Sequence, residues 1–485
     1  MNRPSLDMLA IETISWVPHL ETSGEVCVKE ARSGKAVGFV FIDVDNPDDQ
    51  IAPRVRLVGG RRMRRVAAMK RVLSGQGVRV IDATVHDRGK REAAEAFAAA
   101  RPRSVVDLRG LMYRGAALGL GAVSSLISRV RDPHPDPVEH ADLVQRYLRS
   151  SALVYEAALD LLRRYRPKSV LLFNGRFACV KPIFEAAKQL DIPCVFHERG
   201  ATKERYELFE KEPHDPVYVR QLIRSAWEQA DDKRERIGAE YFLRRRAGDG
   251  IGWISYTDGQ QKSSVPPRKA ARRLVYFSSS DDEFESVGDL CKHYIFDSQR
   301  HAVQFLIDWA AKANDIEFII RVHPILRASA FRERNWWESL GGRNVTVLPA
   351  DDITDSYALA GSADLVLAHG STMGVEAAYL GKPSVVVGEA AYRGLGCNYE
   401  PASRDSLCEL LSRPSVSPLP VANCLPFGYY YLTFGRMYEL YNPRALNSGT
   451  FLGEELSVEP RLTRALKASW LGRRARRLVH LALDA

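Results

Sequence analysis

The sequence predicts an α/β protein in which two doubly wound, Rossmann-like domains face a cleft. Two observations support this fold class. Short apolar runs alternate with helical patterns through both halves of the 485-residue chain, which is typical of parallel sheets covered by helices. A stretch rich in Gly, Ser, Thr and Pro, residues 248–271, separates the halves, and such composition is typical of a linker between domains.

These observations divide the chain into four parts. We expect an N-terminal domain over residues 1–247, the linker over 248–271, a C-terminal domain over 272–425, and return helices with a basic, amphipathic tail over 426–485. The N-terminal domain opens with a predicted β–α–β unit: strand 10–17, helix 25–31 and strand 37–42.

The turn between that first strand and helix holds His19 and Glu21. A carboxylate beside an imidazole orients it and raises its basicity, so the pair is a candidate for proton transfer. A purely structural His19 is the alternative. Further elements follow in the N-terminal half, with strands at 78–81, 104–108, 169–173 and 192–196, and helices at 143–165, 181–190 and 226–246.

Polar residues follow two of these strands. Arg176 comes after strand 169–173, and Glu198 and Arg199 come after strand 192–196. The two arginines could bind an anionic ligand in a fork geometry. Glu198 is a candidate general base, and the alternative for it is a salt bridge to Arg199.

The C-terminal half repeats the strand–helix pattern. Predicted strands lie at 274–277, 317–322, 344–348, 365–368 and 384–387, and predicted helices at 299–313, 356–360 and 373–380. Polar residues end three of the strands: Ser278, Ser279 and Ser280; Arg321, His323 and Pro324; and His369, Gly370, Ser371 and Thr372. Because ligands of open α/β sheets bind beyond the carboxyl ends of the strands, we expect these turns to converge on one ligand.

The turn at Ser371 and Thr372 precedes a helix, and free N–H groups at a helix start bind anions such as phosphate. Glu376, one turn further on, could reach a ribose hydroxyl or a positive group. The alternative is that Ser371 only caps the helix and Glu376 lies on the surface. Asp281 and Asp282 suit a solvated turn better than a metal site, so no metal is predicted. An aromatic-rich helix is expected over residues 429–440.

Composition restricts the class of protein. The chain is 45% apolar and 27% charged, as in soluble globular proteins. No apolar run approaches the roughly 20 residues of a membrane-spanning helix, and the start of the chain lacks the pattern of a signal peptide. The seven cysteines are dispersed, without C-x-x-C spacing. They predict reduced thiols and a cytoplasmic location rather than disulfides or a zinc site.

The formal net charge of +9 predicts an anionic partner. Basic residues cluster between Arg54 and Arg71 and between Arg473 and Arg477, close to Trp470. Neither cluster is interleaved with aromatic residues as a nucleic-acid surface would be, so no nucleic acid is expected. The first cluster is interpreted as a solvated helix face. Contact of both clusters with an anionic membrane surface is the functional alternative.

Three short motifs resemble those of one enzyme superfamily. The sequence R-V-H-P, Arg321–Pro324, is similar to the His-Pro motif of bacterial capsule sialyltransferases and Kdo transferases, and H-G-S-T, His369–Thr372, is similar to their Ser/Thr motif. Glu198–Gly200 resembles their acidic-acidic-Gly motif, with Arg199 replacing the second acid. The resemblance is to capsule polysaccharide biosynthesis-type glycosyltransferases of GT-B architecture and covers about residues 165–390.

The resemblance implies transfer of a sugar from a CMP- or UDP-activated donor to a surface-polysaccharide or lipid-linked glycan, without a metal or other cofactor. His323, Ser371 and Thr372 would bind the donor phosphate, and Glu376 the ribose or base. An acidic residue of the N-terminal domain would be the base, and the Arg199 departure leaves Glu198 and the His19/Glu21 turn as candidates.

A lipid-linked acceptor would place the protein peripherally at the inner membrane face. Three other functions remain open at this point: a sugar-nucleotide 2-epimerase, a polyol-phosphate transferase of the teichoic-acid type, and a non-enzymatic scaffold for polysaccharide export.

Overall fold

The computed structural model describes residues 5–49, 59–85, 87–251, 259–291 and 295–456. Within these residues the strands form a seven-stranded sheet, a five-stranded sheet and a hairpin. The strands are β1 (Met8–Glu12), β2 (Val37–Phe41), β3 (Arg79–Ile81), β4 (Ser169–Phe173), β5 (Cys194–Arg199), β6 (Arg205–Phe209), β7 (Arg272–Phe277), β8 (Ile316–Arg321), β9 (Val345–Leu348), β10 (Leu365–Ala368), β11 (Ser384–Val386), β12 (Arg436–Met437), β13 (Tyr441–Ala445) and β14 (Ser448–Phe451).

The helices alternate with the strands in both sheets. They are α1 (His19–Arg32), α2 (Gly59–Ser74), α3 (Arg88–Ala98), α4 (Val105–Arg109), α5 (Leu118–Val130), α6 (Ala141–Tyr165), α7 (Lys181–Gln189), α8 (Pro216–Gln229), α9 (Arg234–Arg246), α10 (Asp281–Glu285), α11 (Gln299–Ala310), α12 (Phe331–Ser339), α13 (Ser356–Ser362), α14 (Met373–Tyr379), α15 (Arg404–Ser412) and α16 (Leu425–Thr433).

Both large sheets are built mainly from parallel strands. The N-terminal sheet has the order β12-β6-β5-β4-β1-β2-β3, with β6 and β12 antiparallel to their neighbours. The C-terminal sheet has the order β11-β10-β7-β8-β9, and every pair in it is parallel. Sequential strands joined by helices require crossover connections, which cover both faces of each sheet. The predicted class, two doubly wound Rossmann-like domains, is confirmed.

Alternation along the strands produces a core on each face of each sheet. In β1, Leu9 and Ile11 contribute to one apolar cluster, whereas Met8 and Ala10 contribute to another. This is the pattern expected when successive side chains point to opposite faces. The central strand of the C-terminal sheet, β7, behaves alike, because its residues 274–277 alternate between two clusters.

Several predicted elements differ from the structure. Residues 104–108 were expected to form a strand, but they form α4, because the Ser104 side chain caps the helix by accepting the Asp107 N–H. The first strand ends at Glu12, so His19 and Glu21 lie in the first turn of α1 rather than in a loop before it. Strand β5 continues through Arg199, which places Glu198 inside the strand.

The antiparallel strand β6, and the strands β12 to β14 near the end of the described chain, were not predicted. The aromatic helix expected over 429–440 is α16, and it ends at Thr433. Gly435 follows with a φ of 94°, a left-handed conformation that interrupts a helix. The chain then enters β12, which pairs with β6 and returns to the N-terminal sheet.

Helices α8, α9 and α16 connect the two sheets. Tyr241 of α9 and Phe427 of α16 share an apolar cluster with Val375 of α14. Helices α9 and α16 cross at two glycines: a Cβ on Gly238 would lie 2.6 Å from the Leu425 carbonyl oxygen, and one on Gly428 would lie 2.3 Å from the Gly238 oxygen. This close packing fixes α9 against the C-terminal sheet.

The described part of the Arg54–Arg71 cluster is engaged in ion pairs within the fold. Arg62 pairs with Asp43 and Asp49, Arg65 with Glu21, Lys70 with Asp82, and Arg71 with Glu454. These pairs favour the structural interpretation of the cluster over a membrane contact. The cluster residues before position 59, the side chain of Arg61, Trp470 and the tail arginines lie outside the described residues.

Candidate active site

One pocket forms where the carboxyl ends of β7, β8 and β10 meet. It encloses about 550 Å³ including its open mouth. Its lining residues come from all three strand ends, from α9, from the linker and from α13 and α14: Arg245, Gln260, Phe277, Ser278, Arg321, His323, Pro324, Ser356, Tyr357, Ser371, Thr372, Met373 and Glu376. Three turns that are far apart in sequence therefore line a single cavity, as expected for the carboxyl edge of a parallel sheet.

His323 presents a neutral imidazole to this pocket. Its backbone N–H donates to Ser278 Oγ at 2.8 Å, and its Nδ1 accepts the Ile325 N–H at 3.2 Å. With Nδ1 as an acceptor, the proton of the neutral ring resides on Nε2. Burial, reinforced by the charges of Arg321 and Arg245, lowers the pKa of His323 to about 4. Near neutral pH the residue is thus an uncharged hydrogen-bond donor.

Arg321 shapes the pocket rather than projecting freely into it. Its side chain is 2% exposed, and its guanidinium donates to the carbonyl oxygens of Pro349 and Asp352. Because these bonds involve neutral acceptors, they leave the positive charge of the buried guanidinium beside the cavity. The arginine fixes the loop after β9 and makes the pocket favourable for an anion.

The turn before α14 depends on a glycine. Gly370 has a φ of 74°, and a Cβ there would lie 2.4 Å from the Phe284 ring and 2.9 Å from the Glu389 carbonyl oxygen. Glycine is therefore required at this position, and the turn delivers Ser371 and Thr372 to the pocket. Helix α14 has only seven residues, so its dipole is small. An anion would therefore be bound mainly by the hydroxyl groups of Ser371 and Thr372.

Three further residues that were predicted to bind the donor do not line the pocket and instead contact other parts of the C-terminal domain. Ser279 donates its N–H to Gln299 Oε1, Ser280 Oγ contacts Asp282, and His369 is buried against Gly388. None of the three is among the lining residues. Sequence analysis missed Arg245, Gln260 and Tyr357, since α9, the linker and α13 carry no motif that indicates a ligand.

Glu376 is buried, which excludes the alternative that it lies on the surface. Its exposed fraction is 2%. One carboxylate oxygen, Oε2, accepts the hydroxyl of Tyr357, and the other, Oε1, lies 3.6 Å from Arg245 Nε. The carboxylate is thus held in the pocket by a residue of α13 and one of α9.

Glu198 lies near the carboxyl end of β5, with His19 beside it. Its carboxylate accepts the Asn174 side-chain N–H at 3.3 Å and the Arg199 backbone N–H at 2.9 Å, and Oε1 is 3.7 Å from His19 Nδ1. Burial raises the pKa of Glu198. Burial, with the charges of His197, Arg199 and Arg65, holds the pKa of His19 well below its usual range. A carboxylate of raised basicity is suited to accept a proton.

Glu21 occupies a different environment from the one predicted. The sequence paired it with His19, but its buried carboxylate pairs with the Arg65 guanidinium. The helical geometry explains the difference, because residues 19 and 21 of one helix do not face each other. Glu21 is therefore engaged by Arg65, and the carboxylate that lies beside His19 is that of Glu198.

A buried group that the sequence did not indicate lies behind this pair. His197 Nε2 is 2.6 Å from Glu12 Oε1 and 3.1 Å from Ser23 Oγ, and all three residues are at most 1% exposed. Both contacts use the same ring nitrogen, so the group is not a relay like that of a serine hydrolase. It links the end of β1 to β5 across the intervening strand β4, next to Glu198.

Arg176 joins the two domains. Its guanidinium donates to Ser124 and Ser128 of α5 and, at 3.1 Å, to Ser286, which follows α10 of the other domain. It also stacks on Phe177, 4.0 Å from the ring centroid. Arg199 instead donates to the Val17 carbonyl and the Asn447 side chain. The two guanidiniums contact different groups in this structure, and the expected fork of two arginines around one anion stays a prediction.

Within the described ranges, no group of three or more His, Cys, Asp or Glu residues is arranged to hold a metal ion. Among the helices that the structure describes, none combines the length and the apolar character needed to span a bilayer.

Comparison with known proteins gives one family match. Residues 282–408 match the family described as capsule polysaccharide biosynthesis protein, and this segment contains the His323–Pro324 and His369–Thr372 motifs. No curated protein matches the chain by sequence.

Solved structures align only weakly. The KpsC beta Kdo 2,4 transferase of Thermosulfurimonas dismutans aligns at 14% identity over 54% of this chain and 78% of its own, with a TM-score of 0.36. A putative UDP-N-acetylglucosamine 2-epimerase from Listeria monocytogenes aligns at 11% identity over 87% of this chain and 94% of its own, with a TM-score of 0.26. The calicheamicin glycosyltransferase CalG4 aligns at 13% identity over 89% and 94%, with a TM-score of 0.26.

The family match, together with the two Rossmann-like sheets, confirms the resemblance that the motifs indicated. Residues 282–408 are thus similar to the capsule polysaccharide biosynthesis family, and the chain that contains them has two Rossmann-like sheets.

Proposed function

We propose that this protein is a glycosyltransferase that moves a sugar from a nucleotide-activated donor to a surface-polysaccharide or lipid-linked glycan. The observation that carries the proposal is the single pocket in which Ser278, His323, Ser371 and Thr372 come together. Hydroxyls and a neutral imidazole beside a buried arginine are suited to a phosphate group. The family match over residues 282–408 supports the same function.

The donor would bind with its phosphate at these side chains and its nucleoside toward Glu376. As the bond between the sugar and the phosphate oxygen breaks, the electron pair passes to the phosphate. Fixed donors that surround this developing charge lower the barrier, because they need no reorganisation during the reaction. A reaction of this kind can proceed without a metal. Metal independence remains a prediction for this protein.

The acceptor would approach from the N-terminal domain. Glu198 would take the proton of the acceptor hydroxyl as its oxygen attacks the anomeric carbon, and His19 would sit beside the carboxylate as a neutral partner. A single displacement of this kind needs one base and inverts the anomeric centre. The raised pKa of Glu198 supports its role as that base.

Incubation with CMP-, UDP-, GDP- and CDP-linked donors tests the proposal. Release of nucleotide that depends on a glycan acceptor is the expected result. Interconversion of a sugar nucleotide without net release would instead favour a 2-epimerase, and transfer from a CDP-polyol would favour a polyol-phosphate transferase. If no donor is consumed and no nucleotide raises the melting temperature, the scaffold function is favoured and the proposal is wrong.

We also propose that the protein works at the cytoplasmic face of a membrane. The sequence supports this through the arginines at 473–477 and Trp470, since each basic residue near an anionic surface contributes about 1 kcal/mol. Binding to anionic but not to neutral vesicles, reversed by high salt and lost on truncation after Leu466, is expected in co-sedimentation. Equal sedimentation with both vesicle types would contradict the proposal.

A further inference from the structure

The β13–β14 hairpin is fixed to α1, the helix that begins at His19. The Glu25 carboxylate of α1 is fully buried and accepts three consecutive backbone N–H groups at the base of the hairpin, those of residues 439–441, at 2.7–2.9 Å. Phe451, at the other end of the hairpin, packs in the same apolar cluster as Leu20 of α1. Hydrogen bonds to a charged acceptor are stronger than those between neutral groups, so these contacts hold the hairpin and α1 together.

The tip of this hairpin reaches the arginine next to the proposed base. Asn447 lies in the turn between β13 and β14, and its Oδ1 accepts a hydrogen bond from Arg199 Nη2 at 2.9 Å. The same nitrogen donates at 3.0 Å to the carbonyl oxygen of Val17, two residues before His19. The guanidinium is therefore held between the hairpin tip and the segment that enters α1, by two uncharged acceptors.

Arg199 brings a positive charge to a position where the motif resembled by Glu198–Gly200 has an acid. A nearby positive charge favours the ionised form of a carboxylate and the neutral form of an imidazole. Burial raises the pKa of Glu198, and the charge of Arg199 opposes that effect. Burial also lowers the pKa of His19, and the same charge adds to that effect. The position of the guanidinium therefore influences both members of the proposed proton-transfer pair.

Other charged and titratable groups surround Glu198 and contribute to the same electrostatic environment. They are His19 of α1, His197 and Arg199 of β5, Arg176 after β4, and Glu207 directly opposite on β6. Arg199 is the member of this group that the hairpin tip contacts. A change at the tip therefore reaches Glu198 through Arg199.

We propose that Asn447 is a positioning residue that holds the Arg199 guanidinium beside Glu198 and His19, so that the β13–β14 hairpin helps to organise the acceptor side of the site. The inference rests on the proposed function, in which Glu198 is the base. An amide at this position holds the guanidinium without neutralising it, whereas a carboxylate would form a charge-assisted pair with it. Asn447 is exposed, so its replacement leaves the two cores intact.

The experiment measures acceptor-dependent nucleotide release as a function of pH. Activity falls on the acid side as the base becomes protonated. Asn447→Asp is expected to move this acid limb to higher pH by roughly one unit, the effect of weakening an opposite charge near a carboxylate. Asn447→Ala is expected to lower kcat by roughly tenfold, the effect of losing one hydrogen bond to a charged group. The KM for the donor and the melting temperature should stay close to the wild-type values in both variants.

Asn442→Asp is the matched control. Asn442 is an exposed residue of β13, so the substitution adds the same charge to the same hairpin, and the pH profile should stay unchanged. Arg199→Gln alone should shift the acid limb in the direction seen for Asn447→Asp. Adding Asn447→Asp to Arg199→Gln should then cause no further shift, because the two changes act through one guanidinium.

Several results would contradict this role of Asn447. A wild-type pH profile in Asn447→Asp, or an equal shift in Asn442→Asp, would overturn the inference while the proposed function would stand. A loss of activity in Asn447→Ala that parallels a fall in melting temperature would also overturn it, since the residue would then only stabilise the fold. Absence of acceptor-dependent nucleotide release by the wild type would overturn both proposals.

Discussion

Replacing Glu198 by glutamine is expected to reduce sugar transfer by roughly 10²–10⁴-fold, the contribution of a positioned general base, and to leave nucleotide affinity nearly unchanged. The amide has the shape of the carboxylate, and its one oxygen can accept one of the two N–H groups that Asn174 and Arg199 donate to separate oxygens of Glu198. It cannot take the acceptor's proton. Donor-dependent initial rates and calorimetric titration of the nucleotide separate the two effects.

Two further variants test whether the loss of sugar transfer is specific to the Glu198 carboxylate. His19→Ala removes the partner 3.7 Å from Glu198 and is expected to cause a smaller loss, since the carboxylate remains. Glu207→Gln changes the carboxylate directly across from Glu198 on β6, whose side chain faces the same side of the sheet. Equal, mild losses in Glu198→Gln and His19→Ala would mean that the base lies elsewhere, and a larger loss in Glu207→Gln would identify it there.

The C-terminal domain was more predictable than the N-terminal one for a physical reason. Strands β7, β8 and β10 are short, bounded by polar turns and buried except for Arg272 at the start of β7, so apolar runs mark them clearly. Strand β10 has the predicted bounds 365–368. The sequence order of β–α units then determines which turns share an edge of the sheet. The convergence of Ser278, His323 and Ser371 on one pocket follows from topology alone.

The N-terminal predictions failed where tertiary contacts override local pattern. Glu21 was assigned to His19 because the two are close in sequence, but the helix separates them, and Arg65 from α2 supplies the counter-charge. Arg245 could not be predicted at all. It is one of three consecutive arginines at the end of α9, and only the packing of α9 on α14 selects this one for the pocket.

Replacing His323 by alanine is expected to lower turnover by about 10²–10³-fold, the effect of losing one preorganised donor at a developing charge. The variant also loses the acceptor of the Ile325 N–H, so its melting temperature must be compared with that of the wild type. His323→Asn, which keeps a side-chain N–H, should recover part of the activity. His301→Ala, at an exposed histidine of α11, should behave like the wild type.

The pH dependence provides an independent test of His323. Its pKa in the folded, ligand-free protein is about 4, whereas the ordinary value is 6.5. Between these values the unfolded chain binds a proton that the folded protein does not, so this residue contributes stability above pH 6.5 that is lost as the pH falls toward 4. Denaturant midpoints measured from pH 7 to pH 4 should therefore decline less steeply in His323→Ala than in the wild type. An unchanged slope together with full activity in His323→Ala would show that the imidazole neither is buried as a neutral group nor binds the donor phosphate.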